Sequence, residues 1–188
     1  MDTKRLLLYI CVTAVLLALV IYGILELTAV APGPTDSATR RLPVGQRQRS
    51  PVYLYFIDSS GGQLVSEKRA VNDPGEPVGL AKNIIEALLE GPVSPELINP
   101  LPEGTACRAL FITEQKVAYV DFSPEISDQH PGGSQAERLS VYAVVNSLIM
   151  NVDQIKYVKI LINGNEAQTL AGHIDLRFLF SADLRMVK

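Results

Sequence analysis

Twenty consecutive residues without a charge, Leu6 to Leu25 (LLLYICVTAVLLALVIYGIL), constrain this chain more than anything that follows them. As a helix rising 1.5 Å per residue, such a run reaches across roughly 30 Å of hydrocarbon. It predicts a transmembrane anchor over residues 6–25, with residues 1–5 as a short cytoplasmic tail. A cleaved secretory signal is the alternative: TAVA ends at Ala31 in an A-x-A pattern, but Pro32 would follow the cut and oppose it. A lipoprotein signal needs its cysteine after the apolar region, and Cys11 lies near its start. Lys4 and Arg5 abut the run, while Arg40 and Arg41 stand about fifteen residues beyond it. The close pair orients the N-terminus inward. The expectation is a single-pass protein of the inner (cytoplasmic) membrane with a periplasmic, extracytoplasmic domain.

Residues 26–50 read as a linker. APGPTDSATRRLPVGQRQRS mixes three prolines, two glycines and four arginines with too few apolar residues to pack. Residues 51–183 then leave roughly 130 residues for one domain, enough to bury a core without staples, and 184–188 form a tail. A formal net charge of −3 and a pI near 5.4 offer no basic face for nucleic acid. Cys107 is the only cysteine of the domain, so no intradomain disulfide can form.

Within the domain the periodicity changes from element to element. VYLYFID and QLVSEKRAV are strands around the turn SSGG. In VGLAKNIIEALLEGP, Ala81, Ile84, Ile85, Leu88 and Leu89 recur three and four apart, the mark of a one-faced helix. Gly91 is placed to end it and Pro92 to forbid continuation. TACRALFIT and KVAYVDF form a second hairpin, and Ser123-Pro124 can start one helical turn. Ser134 and Glu137 stand at capping-box spacing before a helix that runs to about Met150. Its apolar residues spread around it: Val141, Val144, Val145 and Leu148 are a possible interaction surface, or else the helix is buried on two sides. IKYVKILIN is a strand and Asn163-Gly164 a hairpin turn; EAQTL returns, and AGHIDLRFLF closes the domain. The order β-β-α-β-β-α-β-β predicts an α+β fold, two helices packed on a mainly antiparallel sheet.

Catalytic constellations find little support. A metal site would need His130 and His173 to meet Asp175 or Asp121, without any H-x-x-x-H or C-x-x-C spacing. A serine hydrolase would carry a G-x-S-x-G elbow, which is absent, leaving only His173 with Asp175 or Asp121 as a hydrolase nucleus. Asp121, Glu125 and Glu137 are candidates for a carboxylate pair, each with a plain role in a turn or cap. Cys107 sits mid-strand, away from any helix N-terminus that would activate its thiol. SSGGQ lacks the helix and lysine of a phosphate loop. The chain therefore reads as a non-enzyme without cofactor or metal.

ALLEGP, LPEGT, VAYVDFS, ERLSVYAVVNSLI and VKILINGNEAQTLAGHIDL, in this order, resemble the GerMN domain of sporulation and spore germination proteins, over about Val52 to Leu176. The matching positions Gly91, Pro92, Pro102, Gly104, Asp121, Phe122, Ser123, Asn146, Gly164, Gly172 and His173 are fold markers in this resemblance. It implies a small domain outside the cytoplasm, similar to the ring-building motif of envelope secretion and sporulation complexes. It further implies no catalytic activity and assembly by domain contact. Two departures stand out: AGH, with Ala171, replaces GGH, and a single copy follows a helix anchor where the sporulation member has two copies and a lipid. The partners expected are the membrane, through Leu6–Leu25, and an envelope protein or a second copy. Cell-wall glycan, held by Tyr53, Tyr55 and the linker arginines, is the alternative.

Overall fold

The computed structural model describes residues 48–188 together with Leu17 and Leu19. Apart from those two positions, the expected anchor and the linker up to residue 47 lie outside the described residues. Among the described residues, no helix is long and apolar enough to cross a membrane.

Strands β1 (Gln48–Asp58) and β2 (Leu64–Asp73) form a long antiparallel hairpin, in register from Gln48 opposite Asp73 to Ile57 opposite Leu64. Gln48, Arg49 and Ser50, read above as linker, are paired strand residues, and Ser50 Oγ donates to Asp73 Oδ2 at 2.6 Å. Asp58 organises the turn. Its Oδ1 accepts from Gly62 N at 3.0 Å and Gln63 N at 3.2 Å, while Ser60 Oγ donates to Oδ2 at 2.7 Å. Val52, Leu54 and Phe56 alternate inward and are fully buried. The two-residue β3 (Leu97–Ile98) extends this sheet on the other side of β1.

Helix α1 (Pro77–Leu89) starts with a proline at its first turn, where the missing N–H has no intrahelical partner to lose. It ends at Gly91, whose φ of 84° lets its N–H reach Leu88 O at 3.1 Å. Ala81, Ile84, Ile85 and Leu88 are buried, and Lys82 and Glu86 face outward. A polar clasp fixes the helix end. Arg69 donates to Ala87 O and Gly91 O, both at 2.9 Å, with its guanidinium 5.6 Å from the Phe56 ring centroid. Glu67, paired with Arg69, accepts from Val93 N and Ser94 N.

The second sheet is ordered β4 (Cys107–Ile112), β5 (Val117–Phe122), β6 (Tyr157–Ile162). β4 and β5 are antiparallel with a bulge between Cys107 and Ala109; β5 and β6 run parallel. Between them lie the single turn α2 (Glu125–Asp128) and the helix α3 (Ser134–Ile149). Residues of both sheets, α1 and α3 share one contiguous core.

The α+β architecture follows the sequence pattern, with three corrections. Two three-stranded sheets replace one, and one of their pairings is parallel. EAQTL and AGHIDLRFLF, expected to return and close the domain as strand, form only isolated bridges, Ile162–Asn165, Thr169–Asp175 and Val158–Phe180. Three amides of the second stretch, Ala171, His173 and Ile174, are drawn to a side chain instead of a ladder, as shown below. The capping box is not made: Gly133 caps α3 without any side-chain bond, and Glu137 turns elsewhere. The Asn163-Gly164 turn does form, with φ of 53° and 78° and both bonds between Ile162 and Asn165.

Candidate functional site

The most concentrated polar chemistry lies at Glu137, whose side chain is 0% exposed on the first turn of α3. Its Oε2 accepts from the backbone N–H groups of Ala171 (3.1 Å), His173 (3.0 Å) and Ile174 (2.9 Å). Its Oε1 lies 2.7 Å from His173 Nδ1. Burial alone would push this carboxyl up. The bonds from Ile174 N–H, the His173 ring, and the Ala171 and His173 amides outweigh it and hold the pKa at about 2. The histidine side chain is 53% exposed.

This arrangement is a knot tying the loop after β6 to the central helix. Asp175 is engaged by Arg177, with Nη2 to Oδ2 at 2.6 Å. Asp121 accepts from Gly164 N at 2.7 Å and lies 3.6 Å from Arg108 Nη1. His130 is occupied at both nitrogens. Gly132 N donates to its Nδ1 at 3.0 Å, so Nε2 carries the proton and donates to Ser140 Oγ at 2.9 Å. Burial lowers its pKa, against the pull of Glu137, and favours the neutral ring. Glu125 bonds within its own turn, through Ser123. The Cys107 thiol is pushed up by burial. Among the described residues, no group of three or more His, Cys, Asp or Glu could hold a metal ion.

The remaining family-type positions also sit where backbone needs partners. Ser123 Oγ accepts from Ala106 N at 2.9 Å beside the fully buried Phe122. Pro102 O receives Thr105 N in the turn that holds Gly104. Pro92 follows the end of α1, and Gly172 donates to Thr169 Oγ1 at 3.1 Å. Asn146, 0% exposed, makes a double bond pair with Asp183, accepting its N–H at 3.0 Å and donating to its O at 3.2 Å.

Val141, Val144, Val145 and Leu148, the possible contact surface, are all at most 1% exposed in the core of this same domain. They are corrected to core residues, because α3 is packed from several sides at once. Tyr55 is likewise buried, leaving Tyr53 as the exposed member of that pair. An exposed aromatic patch that sequence reasoning missed lies on the second sheet. Ala118, Val120, Phe122, Val158 and Ile160 point into the core, so alternate residues point away from it. There Phe111 (48% exposed) stacks on Tyr119 with ring centroids 4.7 Å apart, and Tyr157 is 43% exposed. The period-two pattern carried this signal, but which face was bare depends on the helices.

The fold and its polar knots define a two-sheet α+β domain built around a buried helix, in which the titratable groups are tied into local pairs and backbone bonds. The chain belongs to the Germane family of sporulation and spore germination, whose model matches residues 53–168. Solved structures share the fold, three of them as follows. The first GerMN domain of the sporulation protein GerM from Bacillus subtilis is 24% identical, with TM-score 0.58 over 72% of this chain and 98% of that one. The tandem GerMN domains of the same protein are 22% identical, with TM-score 0.59 over 70% of this chain and 46% of that one. A Clostridium perfringens protein described as a lipoprotein is 19% identical, with TM-score 0.52 over 71% and 87%. A search of curated proteins finds no match.

Proposed function

We propose that this chain is a membrane-tethered envelope protein whose domain acts by protein–protein assembly, without catalysis, in sporulation, germination or cell-wall processes. The tether is Leu6–Leu25 and the domain lies outside the cytoplasm. The Clostridium relative described as a lipoprotein supports a tethered domain, and the family description supports the process.

The observation that carries the reading is the exposed aromatic patch of Phe111, Tyr119 and Tyr157 on the second sheet. The rings of Phe111 and Tyr119 are nearly parallel, 7° apart, and stack on each other. Each ring thus already spends a face on its neighbour, which leaves less of the flat ring surface that sugars stack upon. The charged side chains beside them are neutralised locally: Arg108 by Asp121, and the buried Lys159 by Glu166 at 3.4 Å. An apolar patch with internally balanced charge suits another protein surface. A wall-glycan module has less support, since only Tyr53 of its two tyrosines is exposed.

The test is cross-linking of the anchored protein in its own membrane, comparing the wild type with Phe111→Asp and Tyr157→Asp. Loss of a captured protein with an unchanged melting temperature supports assembly through this face. Undiminished capture by both variants removes it.

A further inference from the structure

Asn163-Gly164 is the one Asn-Gly pair in the chain, and both residues are exposed in the turn after β6. In such a pair the backbone nitrogen of the glycine can attack the side-chain carbonyl carbon of the asparagine, because glycine has no side chain to obstruct the five-membered ring. Two things slow that step in a free chain: the amide nitrogen keeps its proton, and the carbonyl carbon is a poor electrophile. The fold acts on both.

Gly164 donates its N–H to Asp121 Oδ1 at 2.7 Å, inside the roughly 2.6–3.2 Å reach that a general base requires. Asp121 is brought there by the parallel pairing of β5 and β6, with Asp121 opposite Leu161 and Phe122 opposite Ile162. Its side chain is only 9% exposed, so little water competes for the carboxylate. On the electrophile, Arg108 Nη1 donates to Asn163 Oδ1, the oxygen on which negative charge gathers as the ring closes. Arg108 is the bulged residue of β4, between Cys107 and Ala109, and its Nη1 also lies 3.6 Å from Asp121 Oδ2. The backbone of the pair is pinned meanwhile. Asn163 N donates to Phe122 O at 2.8 Å, and Asn165 Nδ2 donates to Asn163 O at 2.9 Å. A proton acceptor for the nucleophile and a cation on the electrophile thus meet at one dipeptide, each from a different strand.

We infer that Asn163-Gly164 is a self-modifying site, converted through a succinimide with the help of Arg108 and Asp121. Gly164 N bonds to Asn163 Cγ while its proton passes to Asp121. The Cγ–Nδ2 bond then breaks, and the proton leaves with Nδ2 as ammonia. Water opens the ring at either carbonyl and gives aspartate or isoaspartate at position 163; no oxidant or cofactor enters. The product sets a second carboxylate against Arg108 and Asp121, and the isoaspartate form also lengthens the backbone of the turn by one carbon. The change happens once per chain, so the site marks the age of the folded domain and turns over no substrate. None of this depends on the exposed aromatic patch.

The full chain, purified in mild detergent, is kept at neutral pH in heavy-oxygen water, and the peptide carrying residue 163 is followed by mass spectrometry. The same chain unfolded in urea gives the rate of the pair without its neighbours. The folded chain should convert about tenfold faster and carry heavy oxygen in the product, short of the roughly hundredfold that such groups supply in a dry active site. Arg108→Ala and Asp121→Asn should each bring the folded rate down to the unfolded one; the second keeps an acceptor for Gly164 N–H. Asn163→Gln, whose ring would be six-membered, should stay unconverted. A folded rate at or below the unfolded rate means that these bonds protect the turn, and it overturns the proposal. So does a rate left unchanged by either Arg108→Ala or Asp121→Asn in a chain that keeps its thermal transition. Where Arg108→Ala does not fold, Arg108→Lys takes its place and should slow conversion less, since it keeps the charge without the planar fork. The comparison of folded with unfolded wild type needs no variant.

Discussion

Helices α1 and α3 differ little in length, at 13 and 16 residues, yet they are built on opposite plans. α1 keeps one apolar face inward and leaves Lys82, Glu86 and Glu90 in water. α3 has ten buried residues, four of them polar: Glu137, Ser140, Asn146 and Ser147. Each polar side chain bonds a segment that lacks a neighbouring strand. Glu137 holds residues 171–174. Ser140 donates to Pro100 O at 2.5 Å, and Asn146 holds Asp183. Ser147 Oγ accepts from Tyr55 N at 3.1 Å on the open edge of β1, and Asn151, just past the helix, bonds Tyr53 N and O. The contrast teaches that a helix without a clean apolar face can be the centre of a fold, when its polar residues stand in for missing backbone partners.

The comparison can be broken most severely at the apolar residues of α3. Leu148→Asp places an unpaired charge in the core and should abolish folding, seen as loss of the cooperative thermal transition. A folded Leu148→Asp domain would restore the surface reading of this helix. Glu137→Ala comes next. It strands three amides and should cost about 3 kcal/mol in denaturant midpoint experiments. Glu137→Gln, which keeps an acceptor, should cost less; equal costs would mean that burial rather than bonding matters at this site.

Acid should reproduce the Glu137 loss. Its folded pKa of about 2 lies below the ordinary 4.5, so its contribution is full above 4.5 and is lost as pH falls toward 2. The shift corresponds to about 3 kcal/mol. His130, also depressed, acts in the same direction but earlier, as pH drops below its ordinary 6.5. Melting temperature against pH should therefore fall in two stages, with the lower stage reduced in Glu137→Gln but not removed, because Asp58, Glu67, Asp73, Asp175 and Asp183 are depressed as well. A single stage in both proteins contradicts the assignment.

Ser147→Ala removes one acceptor from the edge of β1 and should cost about 1 kcal/mol. On α1, Glu86→Ala lies on the wet face and should stay within about 0.5 kcal/mol. If these two measured the same, the two helices would not differ in the way described.

Much of the fold was legible because it is governed by local periodicity. The β1–β2 hairpin, α1 with its Pro77 start and Gly91 stop, the β4–β5 hairpin and the Asn163-Gly164 turn all follow from spacing and turn chemistry. Glu137 was misread because Ser134-x-x-Glu137 satisfies a local rule, while the loop that claims the carboxylate lies more than thirty residues away. The pairing of Ala171-Gly172-His173 with a helical glutamate leaves no periodic trace. AGHIDL looks like a strand for the same reason: its composition fits a ladder, but three of its amides found a buried carboxylate.

The sequence by itself determined the element order, the apolar N-terminal stretch, the family resemblance and the lack of a convincing catalytic motif, since each is written in composition, spacing or period. Only the tertiary structure decided which side of α3 is free, namely none of its apolar residues. It also decided which part of the second sheet stays exposed, and that Val187 and Lys188 meet β2 at Leu64. Those outcomes depend on which surfaces meet, and local spacing does not encode a meeting between residues far apart in the chain.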